Sequence, residues 1–136
     1  MTRAELEARA IAAARNAHER SYAPYSGLRV GAALCDSNGA IAVGCNVENA
    51  AYGSTLCAEH GAVMASVVSG LRNPVILAIV TNGRIPAPPC GTCRQVLVEL
   101  APDVEIISVA GQTVERWHLT DLIPHAFLPS SLDTPT

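Results

Sequence analysis

Cys57-Ala58-Glu59 and Pro89-Cys90-Gly91-Thr92-Cys93 are the two stretches around which we expect the chain to fold. Cys90 and Cys93 are three residues apart, so in the first turn of a helix their thiols lie on one face and can hold one ion. Cys57 can supply a third sulfur, which leaves the fourth position of a tetrahedral zinc open, as in catalytic sites. The two stretches therefore predict a zinc ion that activates a water molecule.

Glu59 follows Cys57 by two residues, close to the predicted metal without having to ligate it. A carboxylate in that place is suited to moving protons to and from the activated water. Two other interpretations stay open on spacing alone. A C-x-x-C at a helix start is also typical of thioredoxin-like redox proteins, and His60 as a fourth ligand would make a structural zinc site. The third cysteine beside a carboxylate weakens the first, and a structural site has no use for Glu59.

Composition limits the class of partner. The net charge is -3, and the nine basic residues are scattered along the chain, which does not indicate a nucleic-acid surface. The first twenty residues carry charges throughout and lack the apolar core of an export signal. The cysteines number five, an odd count that does not fit a disulfide framework, so we expect a reducing, cytoplasmic location. No apolar run approaches membrane-spanning length. Hydrophobic residues make up 49% of the chain and mean hydropathy is +0.26. Apolar surface buried between subunits is the preferred interpretation, and a core rich in Ala and Val is the alternative.

The remaining sequence predicts alternating helices and strands. Thr2 and Glu5 form a capping-box pattern for a first helix. Strands are predicted over residues 28–35 and 40–47, with Asn38-Gly39 as a tight hairpin turn in which both residues adopt positive φ. Further strands are predicted at 75–80, a central strand covered on both faces, and at 104–109. Helices are predicted at 57–69 and 91–100, with a short helical segment at 120–123.

Asn46 and Glu48 fall on one face of the second strand by alternation, with Val47 opposite. An amide beside a carboxylate is suited to binding sugar hydroxyls. On spacing alone, a solvated strand end is the preferred interpretation of this pair. Tyr25 likewise has an ordinary interpretation, in which it and Tyr22 anchor a turn.

Six segments in order resemble the small homotetrameric, zinc-dependent cytidine deaminases, in which a His or Cys ligand, a catalytic Glu and a later P-C-x-x-C recur. The matching segments span residues 22–127 and are Tyr22-Ala23-Pro24-Tyr25-Ser26, Val30-Gly31-Ala32-Ala33-Leu34, Gly44-Cys45-Asn46-Val47-Glu48-Asn49-Ala50, Cys57-Ala58-Glu59, Pro89-Cys90-Gly91-Thr92-Cys93-Arg94-Gln95-Val96-Leu97 and Leu122-Ile123-Pro124-His125-Ala126-Phe127. A lone C-x-x-C is weak evidence, whereas this ordered set is specific.

The resemblance implies a three-layer α/β/α fold with a mixed sheet of about five strands, in one catalytic domain over residues 1–136. It implies hydrolytic deamination of cytidine and deoxycytidine in pyrimidine salvage, with one Zn²⁺ per subunit and no polynucleotide substrate. It further implies a homotetramer in which neighbouring subunits complete each active site.

The resemblance also assigns roles to individual residues. Glu59 is the expected catalytic residue, and the expected zinc ligands are Cys57, Cys90 and Cys93. The residues expected to bind the nucleoside are Asn46 and Glu48 at the ribose, Tyr25 and Tyr52 near it, the Ala58 amide at the 2-carbonyl of the base, and Phe127, which stacks on a neighbouring subunit's pyrimidine.

Two positions depart from the family pattern. His60 stands where the family usually has an Arg that donates hydrogen bonds to the ligand thiolates, and Arg94 is a second candidate for that role. Leu28 stands where the family usually has a Phe against the base, so the wall stays apolar but ring stacking is lost. These departures leave two alternatives: deamination of a modified cytosine nucleoside of the blasticidin type, and a zinc-stabilised nucleoside-binding protein without catalysis.

Overall fold

A five-stranded mixed sheet is the centre of the fold in the computed structural model, which describes residues 1–132. The strands lie in the order β2-β1-β3-β4-β5; β3 and β4 are parallel, and every other neighbouring pair is antiparallel. The elements in chain order are α1 (Arg3–His18), β1 (Val30–Cys35), β2 (Ile41–Cys45), α2 (Ala58–Ser69), β3 (Ile76–Thr81), α3 (Gly91–Leu100), β4 (Glu105–Ala110), β5 (Thr113–His118) and α4 (Leu119–Leu122), with 3₁₀ helices at Tyr52–Ser54 and Pro129–Leu132.

Helices cover both faces of the sheet, as the predicted three-layer fold requires. On one face α1 packs against β1, β3 and β4 through a core of Leu6, Ala10, Ala14, Ala33, Cys35, Ile76, Ala78, Val80, Ile107 and Val109. On the other face α2 and α3 enclose the larger core, which includes Leu34, Val63, Leu77, Ile79, Leu97 and Ile106. Every residue of β3 is buried, which confirms its prediction as a central strand.

The first helix begins as its sequence predicts. The Thr2 hydroxyl accepts a hydrogen bond from the Glu5 N–H at 3.1 Å, and the Glu5 carboxylate accepts one from the Thr2 N–H at 3.3 Å. This reciprocal pair satisfies two backbone donors that the first turn would otherwise leave unpaired. The capping box is therefore confirmed.

The β1–β2 hairpin is also confirmed, but its turn is not the predicted one. Cys35 pairs with Ile41, so five residues join the strands rather than the four, 36–39, between the predicted strands. Only Gly39 of the Asn-Gly pair has a positive φ, +91°. The Asp36 side chain accepts hydrogen bonds from the Asn38 and Ala40 N–H groups, both at 2.9 Å, and these bonds organise the longer loop.

One strand has no counterpart in the predicted elements. β5 follows β4 after the two-residue turn Gly111-Gln112 and forms an edge of the sheet. Most of its residues are exposed, so it lacks the apolar run or alternation by which a strand is recognised. The short helix at 120–123 was predicted one residue late, since α4 begins at Leu119.

The helix that carries Cys57 lies directly on the hairpin. A Cβ added to Gly44 would stand 2.4 Å from the carbonyl oxygen of Ala58, so only glycine at this β2 position lets α2 approach so closely. This contact fixes the N-terminus of α2 against the sheet. Among residues 1–132, no helix combines the length and the apolar character needed to cross a membrane.

Candidate active site

Two helix N-termini bring the predicted metal ligands together. Cys57 is the N-cap of α2 and Cys90 is the N-cap of α3, while Cys93 lies in the first turn of α3 and is buried. Their sulfur atoms all lie within 4.8 Å of one another, and the Sγ atoms of Cys57 and Cys90 are 3.6 Å apart. We call these three residues the thiol cluster.

The thiol cluster fits a zinc ion. Sulfur atoms about 2.3 Å from a tetrahedral zinc stand roughly 3.8 Å from one another, close to the spacing found here. Within residues 1–132 the cluster has three members and does not include His60, so the arrangement lacks the fourth ligand of the structural-zinc alternative. Three thiolates with an open fourth position are typical of a catalytic zinc.

Local electrostatics favour the metal-binding form of the thiols. Hydrogen bonds from the Cys93 and Cys90 thiols, with a smaller contribution from His60, lower the pKa of Cys57 to about 6 despite its partial burial. The hydrogen bond to Cys57 and burial raise the pKa of Cys93. The positive ends of the α2 and α3 dipoles also stabilise negative charge at this point. One thiolate is thus favoured on Cys57 near neutral pH.

Glu59 lies in the first turn of α2 beside the thiol cluster, and only 5% of its surface is exposed. Burial, with a contribution from the negative charge of Cys57, raises the pKa of Glu59 to about 7. A carboxyl group with a pKa near neutrality can both take and give a proton at physiological pH. This is the property that the sequence interpretation required of Glu59.

A cavity of about 210 Å³, here called the inner cavity, opens in front of Glu59 and two members of the thiol cluster. It is lined by Leu28, Val30, Asn46, Thr55, Leu56, Cys57, Ala58, Glu59, Ala87, Pro88 and Cys90. Four residues predicted to bind substrate or catalyse therefore share one space: Leu28, Asn46, Ala58 and Glu59. Its lining is mostly apolar, with Asn46, Thr55 and Glu59 as polar members.

An outer cavity of about 350 Å³ is lined by Tyr25, Ser26, Glu48, Asn49, Tyr52 and Thr55. Thr55 lines both cavities, so the two adjoin. The rings of Tyr25 and Tyr52 meet edge to face with centroids 6.0 Å apart. The predicted contacts Tyr25, Tyr52 and Glu48 thus line the outer cavity together, whereas Asn46 lines the inner cavity with two members of the thiol cluster.

Glu48 is held by a turn whose role the sequence interpretation missed. Its Oε1 accepts hydrogen bonds from the backbone N–H groups of Tyr25 and Ser26, at 2.9 and 3.0 Å, and its Oε2 accepts one from the Ser26 hydroxyl. These bonds, that of the Ser26 hydroxyl first, lower the pKa of Glu48. No spacing rule links residues 26 and 48, which meet only through tertiary structure.

The side chain of Asn46 is largely occupied by the protein itself. Its Oδ1 accepts hydrogen bonds from the Val30 N–H at 2.9 Å and from the Ser21 hydroxyl, and its Nδ2 donates to the Leu28 carbonyl at 2.8 Å. Asn46 is 8% exposed. An amide nitrogen carries two N–H groups, so one remains for a ligand in the inner cavity.

Besides Cys93, three predicted residues lie outside both cavity linings. The Arg94 guanidinium donates to the carbonyls of Pro89 and Leu122, at 2.7 and 2.9 Å, and so stabilises the loop that carries Cys90. His60 lies half-buried on α2 and makes a small contribution to the lowered pKa of Cys57. Phe127 is 58% exposed, and its carbonyl accepts a hydrogen bond from the Gln95 side chain at 2.8 Å.

Comparison with known proteins gives one consistent result. The family model described as the cytidine and deoxycytidylate deaminase zinc-binding region matches residues 4–109. A cytidine deaminase of Halalkalibacterium halodurans is 39% identical over 120 residues, which cover 86% of this chain and 90% of that protein. The cytidine deaminase of Sporosarcina psychrophila is 40% identical over 125 residues, 90% of this chain and 91% of that protein. The crystal structure of cytidine deaminase from Burkholderia pseudomallei superposes with a TM-score of 0.82 at 42% identity, covering 93% of this chain and all of the other.

Proposed function

The chain belongs to the cytidine and deoxycytidylate deaminase family, and from this premise we propose that it hydrolyses cytidine and deoxycytidine to uridine and deoxyuridine with release of ammonia. The observation that carries the proposal is the position of Glu59, which is buried beside three convergent thiols and lines the inner cavity with two of them. In this proposal residues 1–136 form one catalytic domain that acts in pyrimidine salvage in the cytoplasm.

Cys57, Cys90 and Cys93 would hold the zinc ion. Zinc bound there supplies the Lewis acidity that lowers the pKa of a water molecule in the open coordination position towards ~7. The α2 and α3 N-termini offset part of the negative charge of the three thiolates. Arg94 keeps the Cys90 loop in place through Pro89, and His60 contributes to the lowered pKa of Cys57.

Glu59 carries the protons of the reaction. It takes one proton from the attacking water and delivers it to N3 of cytosine, which makes C4 more electrophilic. The water oxygen bonds to C4 and gives a tetrahedral adduct of the base. Glu59 then transfers the second proton of that water to the amino group, the C4–N bond breaks, and ammonia leaves. The balance is one water consumed, with one proton retained at N3 and one lost in ammonia.

The other lining residues bind and orient the nucleoside. The Ala58 N–H, in the first residue of α2, has no acceptor within the helix and is available to the 2-carbonyl of the base. Leu28 forms the apolar side of the base pocket. The free N–H of Asn46 and the carboxylate of Glu48 are suited to ribose hydroxyls, with Tyr25 and Tyr52 beyond them.

A nucleoside fits the two cavities better than a nucleotide does. Neither described lining contains Lys or Arg, and the outer cavity holds the Glu48 carboxylate, whose pKa is lowered. An ionised carboxylate without a cation beside it repels a 5′-phosphate. This favours cytidine and deoxycytidine over deoxycytidylate as substrates.

A homotetramer is part of the proposal. Exposed apolar side chains support it: Val68 is 89% exposed, and Met64 and Val67 on the same helix are about half exposed. A patch of this kind on a small domain indicates a protein interface. Phe127, exposed near the end of the described chain, is proposed to reach a neighbouring subunit's base.

The test is a spectrophotometric deamination assay of the zinc-loaded protein with cytidine, deoxycytidine, deoxycytidylate and a blasticidin-type nucleoside. Rapid turnover of the first two, and little of deoxycytidylate, is the expected result. Turnover of the modified nucleoside alone would replace the proposed substrate. Zinc binding without turnover of any of the four would overturn the catalytic proposal in favour of a binding role.

A further inference from the structure

Residues 27–30 lead into β1 and place Leu28 in the inner cavity. Asn82, the residue after β3, holds this segment from one side. Its backbone N–H donates to the Arg29 carbonyl at 3.3 Å, its Oδ1 accepts from the Arg29 N–H at 2.8 Å, and its Nδ2 donates to the Gly27 carbonyl at 3.1 Å. The Asn82 side chain thus extends the β1–β3 pairing past Val30 and Thr81, where the ladder ends.

Asn46 makes the same three bonds from the other side, shifted by one residue. Its backbone N–H donates to the Val30 carbonyl at 3.1 Å, and its side chain accepts from the Val30 N–H and donates to the Leu28 carbonyl. Backbone polar groups of successive residues in an extended chain point to opposite sides. The two asparagines therefore act as the missing neighbouring strands, and they fix the direction in which Leu28 leaves the backbone.

Gly83, next to Asn82, lies close to the Leu28 side chain. A Cβ added at Gly83 would stand 3.2 Å from Leu28 Cδ1, closer than side chains normally pack. The chain after β3 therefore runs close to the Leu28 side chain. Asn82 holds the backbone on both sides of Leu28, and the absence of a side chain at Gly83 leaves room for Leu28 Cδ1.

We propose that Asn82 is a positioning residue for substrate binding: together with Gly83 it sets where Leu28 stands against the base, and it does not touch the reacting atoms. The inference rests on the proposed function, because it assigns Leu28 to the base pocket. It predicts that Asn82 governs affinity for cytosine nucleosides through Leu28 and leaves the chemical step to Glu59 and the thiol cluster.

The test compares Asn82→Ala, Leu28→Ala and the double variant in steady-state kinetics with cytidine. Asn82→Ala should raise KM about three- to tenfold, the effect of losing one or two exposed hydrogen bonds, with kcat within about twofold. In the Leu28→Ala background the same change should have little further effect, because the side chain that Asn82 positions is gone. Asn16→Ala, which truncates an exposed asparagine on α1, is the control and should match the wild type.

A general structural role for Asn82 makes a different prediction, with additive KM effects in the double variant. Additivity, or an unchanged KM in Asn82→Ala, would overturn the proposal. If Asn82→Ala does not fold, Asn82→Asp takes its place, because it can accept a hydrogen bond from Arg29 but cannot donate one to Gly27. Asn82→Asp should again raise KM in the wild-type background and have little effect on KM in the Leu28→Ala background.

Leu28 methyl signals in NMR spectra of the substrate-free protein give a readout that does not need turnover. They should move in Asn82→Ala and in Gly83→Ala, which pushes Leu28 Cδ1 by a few tenths of an ångström, and not in Asn16→Ala. Unmoved signals in Asn82→Ala would contradict the proposal. If the wild type does not deaminate cytidine, the proposed function fails, but these signals still decide whether Asn82 positions Leu28.

Discussion

The sulfur atoms of Cys57 and Cys90 lie 3.6 Å apart although 33 positions separate the two residues in the chain. Each cysteine is the N-cap of a helix, and the two helices pack on the same face of the sheet. The metal site is thus built by the packing of α2 against α3, and each helix contributes its positive end as well as its sulfur.

Zinc binding should depend on the thiol cluster alone among the cysteines. We expect the purified wild-type protein to contain one zinc ion per chain and Cys90→Ser to contain almost none, because a serine hydroxyl replaces a thiolate ligand. Metal content is measured by inductively coupled plasma mass spectrometry. Cys45→Ser is the control, since Cys45 lies outside the cluster and its thiol donates to the Arg20 carbonyl; equal zinc in both variants would contradict the assignment.

Glu59→Gln should bind zinc normally and lose turnover. The amide has nearly the shape of the carboxyl group but cannot relay protons, so kcat with cytidine should fall by at least about 10²- to 10⁴-fold. Kinetics and zinc content are measured on the same preparation. Glu99→Gln, an exposed position on α3, should behave as the wild type. Substantial activity in Glu59→Gln would refute Glu59 as the proton carrier.

Ser26→Ala should weaken substrate binding more than it slows the reaction. The Ser26 hydroxyl orients the Glu48 carboxylate that is proposed to accept from ribose. Its loss should raise KM for cytidine several-fold with a smaller change in kcat, since the substituted residue is remote from the thiol cluster. Steady-state kinetics test this beside Ser37→Ala, an exposed serine in the hairpin loop. A fall in kcat alone would show that Ser26 acts elsewhere.

The same substitution should change the titration of Glu48. Hydrogen bonds to the ionised carboxylate, that of the Ser26 hydroxyl first, keep the pKa of Glu48 below its ordinary value of 4.5. Their contribution to stability is present above that ordinary pKa and is lost as pH falls through the lowered one. In Ser26→Ala the pKa should therefore rise towards 4.5, so the stability lost on acidification should be smaller and its loss should be complete at a higher pH. Carbon-13 NMR titration of the Glu48 carboxyl measures it; a pKa as low as in the wild type would contradict the assignment.

Val68→Glu should dissociate the proposed tetramer. A charge introduced into an apolar interface is costly to bury, so the assembly should shift to smaller species. Light scattering coupled to size-exclusion chromatography gives the mass of the assembly. Thr113→Glu serves as the control, because Thr113 lies on β5, the edge of the sheet opposite to β2. A tetramer that is unchanged in Val68→Glu would place the interface on another surface, and a monomeric wild type would end the tetramer proposal.

The sequence was most informative where chemistry depends on neighbours along the chain. The spacing of Cys90 and Cys93 and the capping pattern of Thr2 and Glu5 are local, and both appear in the structure as predicted. The hairpin was predicted, but its turn was wrong, because the Asp36 side chain organises a five-residue loop that the Asn-Gly pair does not reveal. β5 was not located because an exposed edge strand carries little hydrophobic pattern.

By itself the sequence determined the metal-binding residue types, the carboxylate beside them and the alternation of helices and strands, since these follow from short spacings and hydrophobic periodicity. The three-layer fold was what the family resemblance implied. Only the tertiary structure decided how the site is supported. Ser26 forms a hydrogen bond with Glu48, which lies 22 positions further along the chain. Asn82 holds the backbone around Leu28 through a hydrogen bond to Arg29, 53 positions away. Such contacts depend on how strands and loops pack, and no local pattern records them.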